Sequence, residues 1–269
     1  MSTRRTGALS ETRVGDSGPW VVFCHGLFGR GKNFTTAARA LQPDFRALLL
    51  DMPDHGASPW TQEFDYANAA QLVADHLRAG VAADGPVHVV GHSMGGKIAM
   101  TLALIAPDLV DRLVVVDISP TGSSAVSEFQ HYLDSLLRID LDAVDNYGDA
   151  DRALAQDVPQ PSLRGFFLQN LRRDRETKTF SWQPNLHLLR RDLETITGDI
   201  PHGDRTFERP VLWMAGGDSD YVTSDQAPVM RQLFPRTVQV TIKEAGHWVH
   251  SQQPESFVET LRYFLSRRG

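Results

Sequence analysis

Residues 87–97, VHVVGHSMGGK, are the part of this chain best equipped for covalent chemistry. A β-branched apolar run ends in Gly91-His92-Ser93-Met94-Gly95-Gly96, and a helix-forming run over 97–106 follows. A strand, a sharp turn and a helix with a serine at the apex make the G-x-S-x-G nucleophile elbow. The turn holds the serine in a strained conformation with its hydroxyl clear of the strand end. Glycines two residues to either side are needed because a Cβ there would collide with the neighbouring strand or helix. Ser93 also precedes a helix N-terminus, whose free N–H groups stabilise a developing oxyanion. The plainer alternative is a glycine-rich turn with an incidental serine. The flanking strand and helix favour catalysis.

An elbow serine needs a base and oxyanion donors. In chain order the histidine comes last, and His247 follows the final apolar run in Glu244-Ala245-Gly246-His247-Trp248. Neutral imidazole is the usual base near neutral pH. Of the other histidines, His250 reads as a helix-start or supporting residue, His92 as pointing into the scaffold, and His55 as shaping its loop. The oxyanion donors expected are the Met94 N–H and one from His25-Gly26-Leu27-Phe28-Gly29, with Leu27 first and Phe28 second. Lys97 reads as a solvated helix residue or a salt-bridge partner. HExxH and paired-cysteine spacings are absent, so no metal is expected.

The elements that must position these residues are short. Continuous apolar runs over 20–24, 47–50, 87–90, 113–116, 211–214 and 238–242 suit a parallel sheet covered on both faces. Helical patterns over 67–79, 97–106, 224–233 and 256–266 alternate with them. The fold class is α/β: a mostly parallel sheet with helices on both faces and the site at the carboxyl ends of the strands. The alternation breaks over 119–209, where helical patterns at 125–138, 141–156, 161–172 and 185–197 follow one another. This stretch reads as a helical cap inserted into a core made of 1–118 and 210–269. Phe129, Tyr132, Phe166, Phe167 and Trp182 from the cap, with Phe28 and Trp248 from the core, are the expected substrate wall. Asn185 is a weaker candidate for the same wall. Bulky roofs shorten pockets, so short to medium acyl groups are expected.

At 269 residues, 41% hydrophobic and 22% charged, the chain has an ordinary globular balance with enough apolar surface for a core. A net charge of -6 gives no reason to expect nucleic acid as a partner. The single cysteine, Cys24, excludes an internal disulfide. The first residues carry two arginines but no apolar h-region, and no run approaches the roughly 18 apolar residues of a membrane helix. The expectation is a soluble, cytoplasmic protein whose partner is a small acyl ester or thioester. Oligomeric state is left open.

Five motifs together resemble the α/β-hydrolase superfamily, in its small intracellular serine-esterase branch. They are His25-Gly26-Leu27-Phe28-Gly29, the 51–58 loop, the 91–97 elbow, Val116-Asp117-Ile118-Ser119-Pro120 and Gly246-His247-Trp248-Val249-His250. The resemblance spans nearly the whole chain. It implies carboxylester or thioester hydrolysis without a cofactor. The same acyl-enzyme would also serve acyl transfer or perhydrolysis, and a non-catalytic binding module is the rival of another class. Two positions compete for the triad acid. Many α/β-hydrolases carry it in a G-x-x-D-x-x-V loop after the next-to-last strand. Here that loop, residues 216–222, puts Ser219 at the acid position, with Asp218 and Asp220 flanking it. The branch this chain resembles uses the preceding strand end, which favours Asp117. Apart from catalysis, Asp117 could cap the turn before Pro120, and Asp218 and Asp220 could be Asx-turn residues.

Overall fold

The computed structural model describes residues 8–123 and 126–267. Its nine strands in chain order are β1 Glu11–Val14, β2 Trp20–Cys24, β3 Arg46–Leu50, β4 Val87–His92, β5 Val110–Val116, β6 Leu171–Arg173, β7 Phe180–Trp182, β8 Val211–Gly216 and β9 Thr237–Ile242. Seven of them form one sheet in the order β1-β3-β2-β4-β5-β8-β9. Every pairing in it is parallel except β1 with β3. The central position of β4 puts the serine turn in mid-sheet, flanked by β2 and β5. The loops that follow those three strands therefore converge on one edge.

Side chains alternate between two apolar layers, as strand geometry requires. On one face Val22, Val89, Leu113 and Val115 pack with Val73 and Leu77 of the helix Tyr66–Arg78 and with Ile98 and Leu102 of the helix Met94–Ile105. On the other, Phe23, Val90, Val114 and Val116 pack with Ala38 of the helix Thr35–Ala40 and with Phe257 and Leu261 of the helix Pro254–Leu265. The six strands read from the sequence are all present. β1 is an addition: its Glu-Thr-Arg-Val sequence has no apolar run because it is a half-exposed edge. β9 is the opposite edge, and its Val238 is exposed, so the run there is less buried than its composition suggests.

Between β5 and β8 lie the helices Val126–Leu137, Tyr147–Ala155, Pro161–Leu168, Leu186–Arg191 and Leu193–Thr197. Ala125, the expected start of the first, is outside the described residues. One expectation for this stretch is corrected. The helix expected over 161–172 stops at Leu168, and the chain turns into an antiparallel pair, β6 with β7. The turn is stabilised by Asn170, whose carbonyl accepts from Gln183 N–H at 3.0 Å. Among the described residues no helix is long and apolar enough to cross a membrane.

Candidate active site

Ser93 has φ 53° and ψ -125°, the strained geometry expected at the apex. The flanking glycines are sterically required. A Cβ on Gly91 would lie 2.3 Å from Gly95 O, and one on Gly95 would lie 2.3 Å from Cys24 O. Met94 is the first residue of the following helix, so its N–H has no acceptor inside that helix.

The base expected from sequence reaches this serine. His247 Nε2 is 3.0 Å from Ser93 Oγ, and His247 Nδ1 is 2.9 Å from Asp117 Oδ2. Asp117 is fully buried just past the end of β5, at φ 49°. Its N–H donates to Met214 O at 2.7 Å, and its Oδ1 accepts from Gly216 N–H at 2.8 Å. The Ser219 hydroxyl donates to Oδ2. The end of β8 and the loop after it therefore hold the carboxylate that faces His247. Asp218 and Asp220, by contrast, are exposed. A carboxylate at Nδ1 fixes the tautomer: Nδ1 carries the proton, and Nε2 is free to accept one from Ser93.

Other histidines brace this arrangement. His92 Nε2 donates to the backbone carbonyl of His247 at 2.8 Å, tying the residue before the serine to the base's own loop. Burial, then the nearby His247 and His250, hold His92 well below the usual histidine range. His250 sits between His92, which it meets edge to face, and Phe34, against which it is tilted, and burial lowers it to about 4. His25 accepts from Met52 N–H through Nε2 at 2.9 Å. His55 accepts from Phe28 N–H through Nε2 at 3.2 Å. Each accepts through Nε2, so each carries its proton on Nδ1, pointed at Gly26 O and Pro53 O respectively. Burial keeps His25 neutral, down to about 3, and lowers His55 in the same direction.

This bracing separates the two oxyanion candidates in the 25–29 loop. The Phe28 N–H is committed to His55. The Leu27 N–H has no hydrogen-bond partner among the described residues. Phe28, at φ 61°, has its carbonyl held by Asn170 Nδ2 at 2.7 Å. Asn33 Nδ2 binds Gln169 Oε1 at 3.0 Å beside it. Residues 169–170, from the segment between β5 and β8, thus clamp the loop. Nothing in the bare sequence marks Asn170 for that role.

A cavity with about 470 Å³ of free space, part of it open to solvent, borders Ser93 and His247. Phe28, Phe129, Tyr132, Phe166, Phe167 and Trp248 line it. The expected Trp182 does not. It sits on β7, where its backbone pairs with Leu171. Asn185 is also away from this wall, bonded through Nδ2 to Asp54 Oδ1 at 3.1 Å. Lys97 is corrected too. It is buried at 1% exposure, and its ammonium donates to Thr121 O at 2.8 Å, to Thr197 O at 3.4 Å and to Gly198 O. Burial lowers it to about 8. Tyr221, which sequence reading passed over, stacks on the His247 ring with centroids 3.9 Å apart.

The model of the alpha/beta hydrolase family matches residues 21–260. The chain belongs to that family. Among curated proteins this α/β-hydrolase is 37% identical to the sn-1-specific diacylglycerol lipase ABHD11 of Danio rerio over 93% of its own length and 79% of the relative's. It is 29% identical to esterase YbfF of Escherichia coli, over 91% and 92% of the two chains. Among solved structures, a marine microorganism esterase superposes with a TM-score of 0.91 at 31% identity, covering 96% of this chain and 99% of the other. The α/β-hydrolase fold and a carboxylesterase-type hydrolase activity follow from these matches. The expectations of fold and enzyme class agree with them.

Proposed function

We propose that this α/β-hydrolase cleaves carboxylic esters, and by the same chemistry thioesters, of short to medium acyl chains through an acyl-enzyme on Ser93. The observation that carries the reading is the unbroken hydrogen-bonded chain Asp117–His247–Ser93 beside an apolar cavity. His247 Nε2 takes the Ser93 proton as Oγ attacks the acyl carbonyl. Asp117 holds the imidazole in the required tautomer and stabilises the imidazolium. The carbonyl oxygen, now an oxyanion, is met by the Leu27 and Met94 N–H groups. The imidazolium then gives its proton to the departing alcohol oxygen. Water, activated in turn by His247, releases the acid. Residues 119–209 act as the cap that roofs this site.

The Danio rerio relative is named for diacylglycerol, so a diacylglycerol belongs in the substrate panel beside simple esters. The narrow cavity supports a preference for the simple esters. A fluorophosphonate probe tests the mechanism directly, because only an activated serine reacts quickly. Mapping the adduct to Ser93, with loss of esterase activity in proportion to labelling, is expected. Fast labelling elsewhere, or full activity in a fully labelled protein, would sink the proposal.

A further inference from the structure

Ser93 stands between two cavities. The aromatic one carries His247 in its wall. The second has about 290 Å³ of free space, part of it likewise open to solvent, and Ser93, Met94, Lys97, Ile118 and Ile196 are in its wall. His247 is not among its lining residues. Tyr221, the ring stacked on His247, stands there instead. Leu27 and Phe129 border both spaces.

Ester cleavage is not symmetric about the carbonyl carbon. The bond that breaks joins that carbon to the alcohol oxygen, which leaves with the bonding pair. It must collect the proton that His247 Nε2 took from Ser93 Oγ, so the alcohol has to lie within reach of His247. The acyl carbon stays bonded to Ser93, and its oxygen is occupied by the two N–H groups. Only the acyl substituent is free to enter a space from which the base is screened.

We propose that the smaller chamber is the acyl subsite and the aromatic cavity the alcohol subsite, so that the enzyme favours short, uncharged acyl groups on larger apolar or aromatic alcohols. This rests on the acyl-enzyme reading above. The chamber selects an uncharged chain because its one cation is already saturated. A lysine ammonium has three N–H donors, and those of Lys97 go to Thr121 O, Thr197 O and Gly198 O. A carboxylate-tipped acyl group would find no free cation there. Ile118 and Ile196, both buried, supply apolar walls. Control of acyl length thereby moves from Tyr132, Phe166 and Phe167 to these two isoleucines, with Phe129 at the boundary of the two spaces. Phe166, Phe167 and Trp248 grade the alcohol.

Two ester series test the assignment: acetyl, butyryl and octanoyl esters of one phenol, and acetates of ethanol, butanol and benzyl alcohol. Ile196→Ala is expected to raise the octanoyl-to-acetyl ratio of kcat/KM by about tenfold or more while leaving the alcohol ranking within about twofold. Phe166→Ala is expected to change the alcohol ranking by about tenfold and leave the acyl ratio within about twofold. Each ratio is taken within one preparation, so a lower folded fraction cancels. Ile196→Phe, which fills the chamber, should depress butyryl relative to acetyl. The partition is overturned if Phe166→Ala governs acyl length, if Ile196→Ala governs the alcohol, or if neither moves a ratio. Ser93→Ala is the control. Turnover that survives it brings down the hydrolase reading and the partition together, whereas Ser93-dependent turnover with exchanged ratios removes the partition alone.

Discussion

Asp117 makes four hydrogen bonds or close polar contacts that serve one purpose, holding a charged carboxylate against His247 in a fully buried position. Asp117→Asn preserves shape but removes the charge and can favour the wrong imidazole tautomer. Turnover should fall by about ten-thousandfold near neutral pH, the scale seen for that change in serine proteases. Asp218→Asn and Asp220→Asn, at exposed positions, should each cost about tenfold or less. Steady-state kinetics at equal folded fraction checks this; collapse of either exposed variant with Asp117→Asn near wild type would move the acid to the β8–β9 loop. The serine and the histidine were legible from local motifs, because strand, turn and loop composition surround each of them. The acid was only half legible. A carboxylate at the end of β5 and two in the loop after β8 look alike on paper, and strand neighbourship separates them. Ser219 was found at an aligned acid position, yet its hydrogen bond to Asp117 emerges only when β5 and β8 lie side by side.

The helix Met94–Ile105 illustrates what an element hides. All its residues from Met94 to Leu104 are buried, so no face is left for a solvated lysine. Lys97 instead reaches the carbonyls of Thr121, Thr197 and Gly198, at the two ends of the chain stretch lying between β5 and β8. Lys97→Met keeps most of the stem but removes the donors. A buried carbonyl left bare costs about 1–3 kcal/mol, and water can reach part of this site, so a net loss of about 2 kcal/mol is expected. The urea midpoint should drop at unchanged m. An unaltered midpoint would show that these contacts contribute nothing. Sequence periodicity located this helix correctly but could not report that its outer face is covered. That cover comes from residues one hundred positions away. The β6–β7 pair escaped notice for a related reason: Leu-Arg-Arg and Phe-Ser-Trp are too short to show a period, and they are strands only because they pair with each other.

At the scale of the molecule, the loops at the carboxyl edge of the sheet share a set of buried and half-buried histidines. His25, His55, His92 and His250 all titrate below the ordinary 6.5, chiefly because burial disfavours their charged forms. Below pH 6.5 the unfolded chain binds protons that the folded one refuses, so stability present above that pH is lost as pH falls toward the depressed values. Tm should decline by several degrees between about pH 6.5 and pH 4. His250→Phe should flatten the decline, since the ring packs tilted against Phe34 and its Nδ1 has no hydrogen-bond partner among the described residues. An equally steep decline in that variant would assign the acid sensitivity to other groups. The sheet, its order of layers and the position of the candidate site were readable from run lengths and glycine placement. The linkage between distant loops was not, because it runs through single side chains. The Asn170 amide on the Phe28 carbonyl is such a linkage, and it bears on how these enzymes can be recombined. The segment between β5 and β8, transplanted from another family member, would need an amide at that point. Without it, the loop that carries Leu27 would keep only the Arg30 and Asn33 contacts with Gln169 from that segment. Chimeras should therefore exchange that segment and the 25–33 loop as one piece.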